Sequence, residues 1–301
     1  MYKILKSSTG IKHIFSVIIL LLANDFSCRA QLNATVFEDF SQTALNPYLI
    51  NPSAADSSYL FKIRLATIDE LGLSRYVNRF YLDIDKRINN SGKNSYHFIG
   101  LQAFNSKIGQ YISRSRLQFR YSWFTQLSQK ACLSAGISLG FVNYSFLTTQ
   151  GGTGGSDFGP DGALGLHYIR ERTVIGFAVQ QIFSPVLMPV SQSFKLNRLY
   201  NFDISHQFNI SHGFNLTAYS VIQYAGQNTF NYNPGLKVDV SDYVLIGVNN
   251  FSLRKTSFNL GIQRIRLFGG ELMMVTTYTL YNNRVFPVPN SLLELFIAFQ
   301  K

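Results

Sequence analysis

Two long runs of alternating apolar and polar side chains occupy residues 112–146. The first run is aromatic or aliphatic on one parity, and the alternation resumes after a polar break at residues 128–130. A period of two predicts extended strands with two unlike faces. Each run exceeds the ~5–6 residues of an ordinary strand and reaches the ~9–11 that a membrane-crossing strand needs. The two runs therefore predict part of the wall of a transmembrane β-barrel.

The composition agrees with a membrane barrel. Only 14% of the residues are charged and 15% are aromatic, whereas soluble domains carry about 25% charged residues. Beyond the first thirty residues, no segment is a continuous apolar run long enough to form a transmembrane helix. A soluble β-sandwich is the alternative, although its strands should be shorter and its turns more regular.

Three regions are predicted: a signal peptide at residues 1–30, an irregular lead-in near the periplasm at residues 31–57, and the barrel at residues 58–301. Basic residues followed by the apolar stretch 14–23 are typical of a secretory signal. Small residues at 28 and 30 predict cleavage before Gln31. Lipidation of Cys28 is the alternative. Two Asn-Pro pairs in the lead-in exclude a continuous helix or a central strand, and the simplest interpretation is a pair of turns that present the first strand.

About fourteen antiparallel strands are predicted, an even number as in single-chain bacterial barrels. They are expected near 58–68, 76–87, 95–106, 112–127, 131–146, 161–170, 172–182, 198–209, 213–225, 229–240, 242–252, 256–267, 270–281 and 290–300. Most connections after even-numbered strands are short. The long ones, at 105–113, 147–161, 183–197 and 282–289, follow odd-numbered strands. Since outer-membrane barrels have short periplasmic turns and long external loops, this predicts periplasmic termini and extracellular long loops.

The lead-in resembles that of a known family. Phe40-Ser41-Gln42, then Asn46-Pro47, then Asn51-Pro52 and small residues follow the predicted signal peptide in the order seen in the PorP/SprF family. A second likeness lies at residues 157–168, a Pro- and Gly-containing stretch that leads into a central hairpin. The chain departs from the family pattern after Pro52, where the family's Tyr and Gly are replaced.

The resemblance implies an outer-membrane protein of the type IX secretion and gliding motility system of Bacteroidota. It further implies a non-enzymatic role in exporting, or holding at the cell surface, proteins with a type IX C-terminal domain. The expected partners are outer-membrane lipid and such a client or the secretion-system components. Neither nucleic acid nor a small-molecule substrate is expected, and basic residues are spread over many strands without a basic block.

Two proline-containing apolar loops are candidate partner surfaces. An apolar external loop is unfavourable unless it folds into the barrel mouth or meets a partner, and both interpretations remain open. The residues concerned are Pro185, Val186, Leu187, Met188 and Pro189 in one loop, and Val285, Phe286 and Pro287 in the other.

The candidate lumen residues are Arg114, Arg116, Gln118 and Arg120, on the polar parity of the first run. Arginine on the lipid face near the bilayer centre costs ~2–4 kcal/mol, so these side chains are expected to point inward. An arginine ladder suits an anion-preferring solute channel, which is the alternative function. It equally suits a closed lumen in which arginines pair with Asp83 and Asp85, the interpretation favoured by the family resemblance.

No residue pattern predicts catalysis, a cofactor or a metal site. The five histidines are scattered, and no His, Cys, Asp or Glu spacing matches a metal site. Residues 150–156 are rich in glycine but lack the Lys-Ser/Thr pair of a phosphate-binding loop. No nucleophile-elbow motif is present. We therefore expect a protein that is not an enzyme.

Overall fold

A computed structural model describes residues 40–43, 45–54, 58–71, 77–89, 95–109, 111–147, 154–191, 193–226, 229–252, 254–281 and 291–301. The predicted signal peptide and the candidate loop residues Val285, Phe286 and Pro287 lie outside these ranges. In the described part of the chain, no helix is long and apolar enough to cross a membrane.

The described residues form a closed antiparallel barrel of fourteen strands and a separate two-stranded hairpin. The barrel strands are β1 (Phe61–Leu71), β2 (Val77–Asn89), β3 (Ser95–Ile108), β4 (Ile112–Ser128), β5 (Ala131–Phe146), β6 (Gly155–Arg170), β7 (Thr173–Gln180), β10 (Leu199–Ser211), β11 (Phe214–Tyr224), β12 (Phe230–Val240), β13 (Val244–Phe251), β14 (Lys255–Leu267), β15 (Gly270–Tyr281) and β16 (Ser291–Gln300). The hairpin, β8 (Val186–Leu187) and β9 (Phe194–Lys195), lies in the connection between β7 and β10. The predicted all-β fold with fourteen strands is confirmed.

The barrel closes where β1 pairs with β16, from Lys62 opposite Gln300 to Leu71 opposite Ser291. The backbone N–H of Leu60 donates to the carbonyl of Lys301, so the first strand begins beside the end of the chain. We call this side the turn end, because most of its connections are only two or three residues long. The opposite side, which carries the β5–β6 and β7–β10 connections, is the loop end.

The two faces of the wall have opposite character, as the alternation predicts. On β4 the aromatic parity is exposed on the outside, with Phe119 67% exposed. Arg114, Arg116, Gln118 and Arg120 point inward and are at most 6% exposed. An exposed aromatic and aliphatic belt around a closed barrel is the surface that a bilayer covers.

Two predicted connections differ from the structure. The expected long loop at 105–113 is wrong, because β3 and β4 pair up to Ile108 and Ile112 and leave a three-residue connection. Strand β6 begins at Gly155 rather than near residue 161. Pro160 obscured this start, since proline is normally absent from central strands. It fits here because β7 ends at Gln180, opposite Ala163, so no barrel strand pairs with that edge of β6 at Pro160.

Candidate functional site

The inside of the barrel is occupied by the chain's own lead-in, residues 40–43 and 45–54. Phe40, Leu49 and Ile50 belong to the same buried cluster as inward-facing residues of the wall, including Tyr81 and Phe104. The Phe40 ring meets the Tyr81 and Phe104 rings edge-on, with centroids 5.9 and 6.0 Å apart. The lead-in motif therefore lies within the lumen. It does more than present the first strand, which was the simplest interpretation of the sequence.

Local sequence explains the lead-in's shape. Pro47 occupies the first turn of a short 3-10 helix (Pro47–Leu49), where its missing N–H costs nothing. Asn51 then forms a tight turn, because its Oδ1 accepts hydrogen bonds from the Ser53 backbone N–H at 3.0 Å and from the Ser53 hydroxyl at 2.6 Å. Such side-chain turns are characteristic of asparagine. The two Asn-Pro pairs thus give the segment a compact shape that fits inside the barrel.

Small residues on β4, β5 and β6 form a shelf that receives the second Asn-Pro pair. Ser122 faces Gly136 across β4 and β5, and Gly136 faces Gly165 across β5 and β6. A Cβ at Gly136 would lie 2.5 Å from the Pro52 carbonyl carbon, and one at Gly165 would clash with Asn51 Oδ1.

Hydrogen bonds hold Asn51-Pro52 on this shelf. The Ser122 hydroxyl donates to the Pro52 carbonyl at 2.7 Å. The Asn51 amide donates to the carbonyls of Leu166 and Phe177 at 3.2 and 3.4 Å. Because Gly136 and Gly165 lack side chains, Asn51 and Pro52 approach the wall closely, and these hydrogen bonds hold them there.

A cluster of two arginines and two aspartates lines the lumen on β1, β2 and β4. Arg120 makes a two-point contact with Asp83, at 2.6 and 3.1 Å. Arg64 donates to the other face of the cluster, to Asp83 at 2.6 Å and to Asp85. All four side chains are at most 3% exposed. Buried charges are tolerated only when they are paired in this way.

The lead-in contributes Tyr48 to the charged cluster. The guanidinium carbon of Arg120 lies 3.7 Å from the centroid of the Tyr48 ring, and that of Arg64 lies 4.5 Å away. A ring facing two cations is favourable, by about 2 kcal/mol or more per contact where water is excluded. We call this arrangement the tyrosine clamp.

The other two candidate arginines and Gln118 connect the clamp to neighbouring strands. Arg116 donates to Gln102 at 3.1 Å, and Gln102 in turn donates to the backbone carbonyl of Tyr48 at 3.3 Å. Gln118 donates to Asp161 of β6 at 2.9 Å. Arg114 lies over the Phe104 ring, 4.9 Å from its centroid. All four predicted lumen residues thus take part in packing inside the barrel.

Amide and hydroxyl side chains bind the lead-in to the opposite half of the wall. Gln42 donates to Thr277, Thr277 to Asn259, Asn259 to Asn249, Asn249 to Asn233, and Asn233 to Thr43, with distances from 2.6 to 3.3 Å. This chain begins and ends on adjacent lead-in residues and crosses β15, β14, β13 and β12. We call it the amide chain.

The burial of inward-facing groups shows that the lumen is filled at these levels. Asp83, Asn201 and Thr277 lie on three different strands, and each is 0% exposed. A water-filled pore would leave such side chains exposed to solvent. Further bonds, from Gln180 to the Leu49 carbonyl and from Asn201 to the Ile50 carbonyl, tie the lead-in to β7 and β10.

The candidate partner loop at 185–189 folds partly into the barrel mouth and partly outward. Leu187 is 1% exposed and packs with Val142, Tyr144 and Leu196 on the inner side of the loop end. The neighbouring side chains Val186 and Met188 are 63% and 60% exposed. The Met188 backbone N–H donates to Asp157 at 2.7 Å, which fixes the loop against β6. Leu187 therefore folds into the barrel mouth, while contact of Val186 and Met188 with a partner stays a prediction.

Several of these residues were not singled out from the sequence. Tyr48, Gly136, Gly165 and the members of the amide chain other than Gln42 were not among the predicted site residues, although the alternation placed those on the strands on the inner face. In the described ranges, no group of three or more His, Cys, Asp or Glu is placed to hold a metal ion.

Comparisons with known proteins agree on fold and family. The profile of a family described as "Type IX secretion system membrane protein PorP/SprF" matches residues 34–285. A comparison with curated protein sequences gave no match.

Among solved structures, the chain is similar to the Ralstonia pickettii toluene transporter TbuX, with 12% identity, a TM-score of 0.56, and coverage of 89% of this chain and 95% of that one. It is also similar to the CymD monoaromatic hydrocarbon channel, with 14% identity, a TM-score of 0.53, and coverage of 88% and 93%. The P. putida toluene transporter TodX matches with 10% identity, a TM-score of 0.50, and coverage of 85% and 94%. At these identities the likeness concerns the fold alone.

Proposed function

Because the chain belongs to the PorP/SprF family of type IX secretion system membrane proteins, we propose that it is a closed outer-membrane barrel that supports the export or surface attachment of proteins with a type IX C-terminal domain. In this role the barrel is a binding platform for a large client or for the secretion components. It is not a conduit for solutes and not an enzyme.

The observation that carries the proposal is the occupied lumen. The lead-in is fixed by the tyrosine clamp on one half of the wall and by the amide chain on the other. Burial of these polar groups is favourable only while their partners stay in place. A barrel closed in this way offers its outer surfaces and its ends, rather than its interior, to other molecules.

We further propose that the turn end faces the periplasm and the loop end faces outward. Short turns lie at the first end, and the longer β5–β6 and β7–β10 connections lie at the second. This is the usual asymmetry of outer-membrane barrels. The β8–β9 hairpin then presents Val186 and Met188 at the cell surface.

The exposed side chains of that hairpin are our candidate contact for the client. Their neighbour Leu187 anchors the hairpin on the barrel, so Val186 and Met188 are held outward on a fixed support. Exposed apolar side chains on a protein surface mark candidate interaction sites, and methionine is enriched in protein interfaces. Residues 284–289 are proposed as a second contact for the client, because their sequence is apolar and contains two prolines.

A mild-detergent pull-down from native outer membranes, followed by mass spectrometry, tests the proposal. We expect a large surface protein with a type IX C-terminal domain, or periplasmic components of the secretion system, to be recovered. Recovery of the folded barrel alone in good yield would contradict the proposal and favour a solute channel.

Substitution of the exposed hairpin residues tests the contact surface without removing the Leu187 anchor. Val186→Asp with Met188→Asp should release the client into the medium, while the barrel remains heat-modifiable in gels. Tyr111→Asp, on the β3–β4 connection, is a matched control at the same end and should retain the client. Unchanged client retention in the double variant would exclude the hairpin as the contact.

A further inference from the structure

An open cleft of about 760 Å³ lies on the rim of the turn end, where the β4–β5 and β6–β7 connections meet the last part of β10. Lys130, Glu171, Arg172, Thr173, His206 and Phe208 are among the residues that line it. Backbone hydrogen bonds join these elements: the Glu171 N–H donates to the Lys130 carbonyl at 2.8 Å, and the N–H of Gln207 in β10 donates to the Arg172 carbonyl at 3.0 Å. The cleft therefore has a fixed backbone frame.

The cleft carries an excess of positive charge. Lys130 and Glu171 form an exposed ion pair at 2.7 Å. This hydrogen bond lowers the pKa of Glu171 and raises that of Lys130, so both are charged at neutral pH. Arg170 and Arg172 lie close enough to act on the same carboxylate. Lys130, Arg172 and Glu171 give the lining of the cleft a net charge of +1, and Arg170 adds a further positive charge beside Glu171.

The cleft lies at the end of an apolar stretch of the outer wall. Thr173, His206 and Phe208 belong to the outward-facing parity of β7 and β10, and the Thr173 hydroxyl lies 2.8 Å from His206 Nδ1. Further along the same strands, the outward side chains Ile175 and Ile204 are apolar and exposed. An acyl chain lying against this wall would place its headgroup beside the basic cleft.

We infer that the cleft binds the phosphate headgroup of an anionic glycerophospholipid. The net positive charge matches the headgroup, and the apolar wall matches its acyl chains. The choice of glycerophospholipid over lipid A rests on the proposed orientation, in which the turn end contacts the periplasmic leaflet. The lipid would anchor the depth and tilt of the barrel in the membrane.

Native mass spectrometry of the full, folded barrel in detergent tests this site, with phosphatidylglycerol, phosphatidylcholine and lipid A as separate probes. We expect phosphatidylglycerol to bind more tightly than phosphatidylcholine. Since each cation near an anionic lipid contributes roughly fivefold in affinity, Lys130→Gln with Arg172→Gln should weaken phosphatidylglycerol binding by about 30-fold. Lys107→Gln with Arg266→Gln removes the same charge from exposed sites elsewhere and should change binding by less than about threefold.

Glu171→Gln separates charge recognition from a merely structural role. Loss of this carboxylate should tighten phosphatidylglycerol binding, whereas weaker binding would mean that the Lys130–Glu171 pair only supports the turns and would overturn the inference. Equal loss in both double variants would also overturn it, as would binding of lipid A without phosphatidylglycerol. The Lys130 and Arg172 double variant should still recover clients in the pull-down, so failure of this site is distinguishable from failure of the proposed function.

Discussion

Gly165 of β6 lies directly under the side chain of Asn51, so that a Cβ at position 165 would lie only 2.0 Å from Asn51 Oδ1. The Asn51 amide also donates to the carbonyl of Leu166, the next residue on the strand. The wall and the lead-in are therefore complementary at this point in shape and in hydrogen bonding. This complementarity links a family motif in the lead-in to glycines more than eighty residues later in the chain.

A double-mutant cycle tests the Asn51–Gly165 contact. Gly165→Ala should destabilise the barrel by about 1–3 kcal/mol through overpacking. Asn51→Ala alone should also destabilise it, because the tight turn and the bonds to the wall are lost. The double variant should lose less free energy of unfolding than the sum of the two single losses, since Asn51→Ala removes the atom that the new methyl group meets. Urea unfolding in lipid vesicles, followed by the fluorescence of the lone tryptophan Trp123, measures these differences. Additive losses would contradict the contact.

Asp83→Asn tests the charged cluster. The substitution removes the negative charge between two buried arginines, so we expect a loss of about 3–5 kcal/mol in the free energy of unfolding. Asp69→Asn is the control, because Asp69 is exposed on β1 and bonds only to Asn78 among the bonds seen in the described residues. Asp69→Asn should lower the free energy of unfolding by no more than about 1 kcal/mol. Similar small losses at both positions would show that the cluster does not stabilise the barrel.

Arg120→Lys tests the stacking of arginine on Tyr48 separately from charge. Lysine keeps the positive charge but cannot make the two-point contact with Asp83 or lie flat on the ring. We expect increased proteolysis of the lead-in within the otherwise intact barrel, measured by limited digestion and N-terminal sequencing. Lys237→Arg, on β12, should leave the digestion pattern unchanged.

Asn249→Ala interrupts the amide chain at its middle. Asn233 and Asn259 then each lose a buried partner, which costs about 1–3 kcal/mol for each group that stays unsatisfied. Asn250→Ala on the same strand is the control, because its side chain is only half-buried and bonds to Thr256. A larger loss at Asn250 than at Asn249 in the vesicle unfolding assay would contradict the proposed role of the chain.

The period of two determined much of the fold from sequence. Strands at 131–146 and 270–281 were predicted to the residue, because one face must meet lipid and the other must not. The start of β6 was missed because Pro160 signals the end of a strand when only local sequence is read. Alternation also shows which side chains point inward but not what fills the space between them. The docking of Asn51 on Gly165 depends on contacts across the closed barrel, which no local pattern contains.

Conductance of the wild-type protein in planar lipid bilayers tests whether the lead-in closes the lumen. We expect no steady conductance after insertion of the folded barrel. A variant that lacks residues 40–54 should conduct, because fourteen strands without a lead-in enclose space for water. Stable, ohmic current steps from the wild-type protein would contradict the closed lumen and support a solute channel.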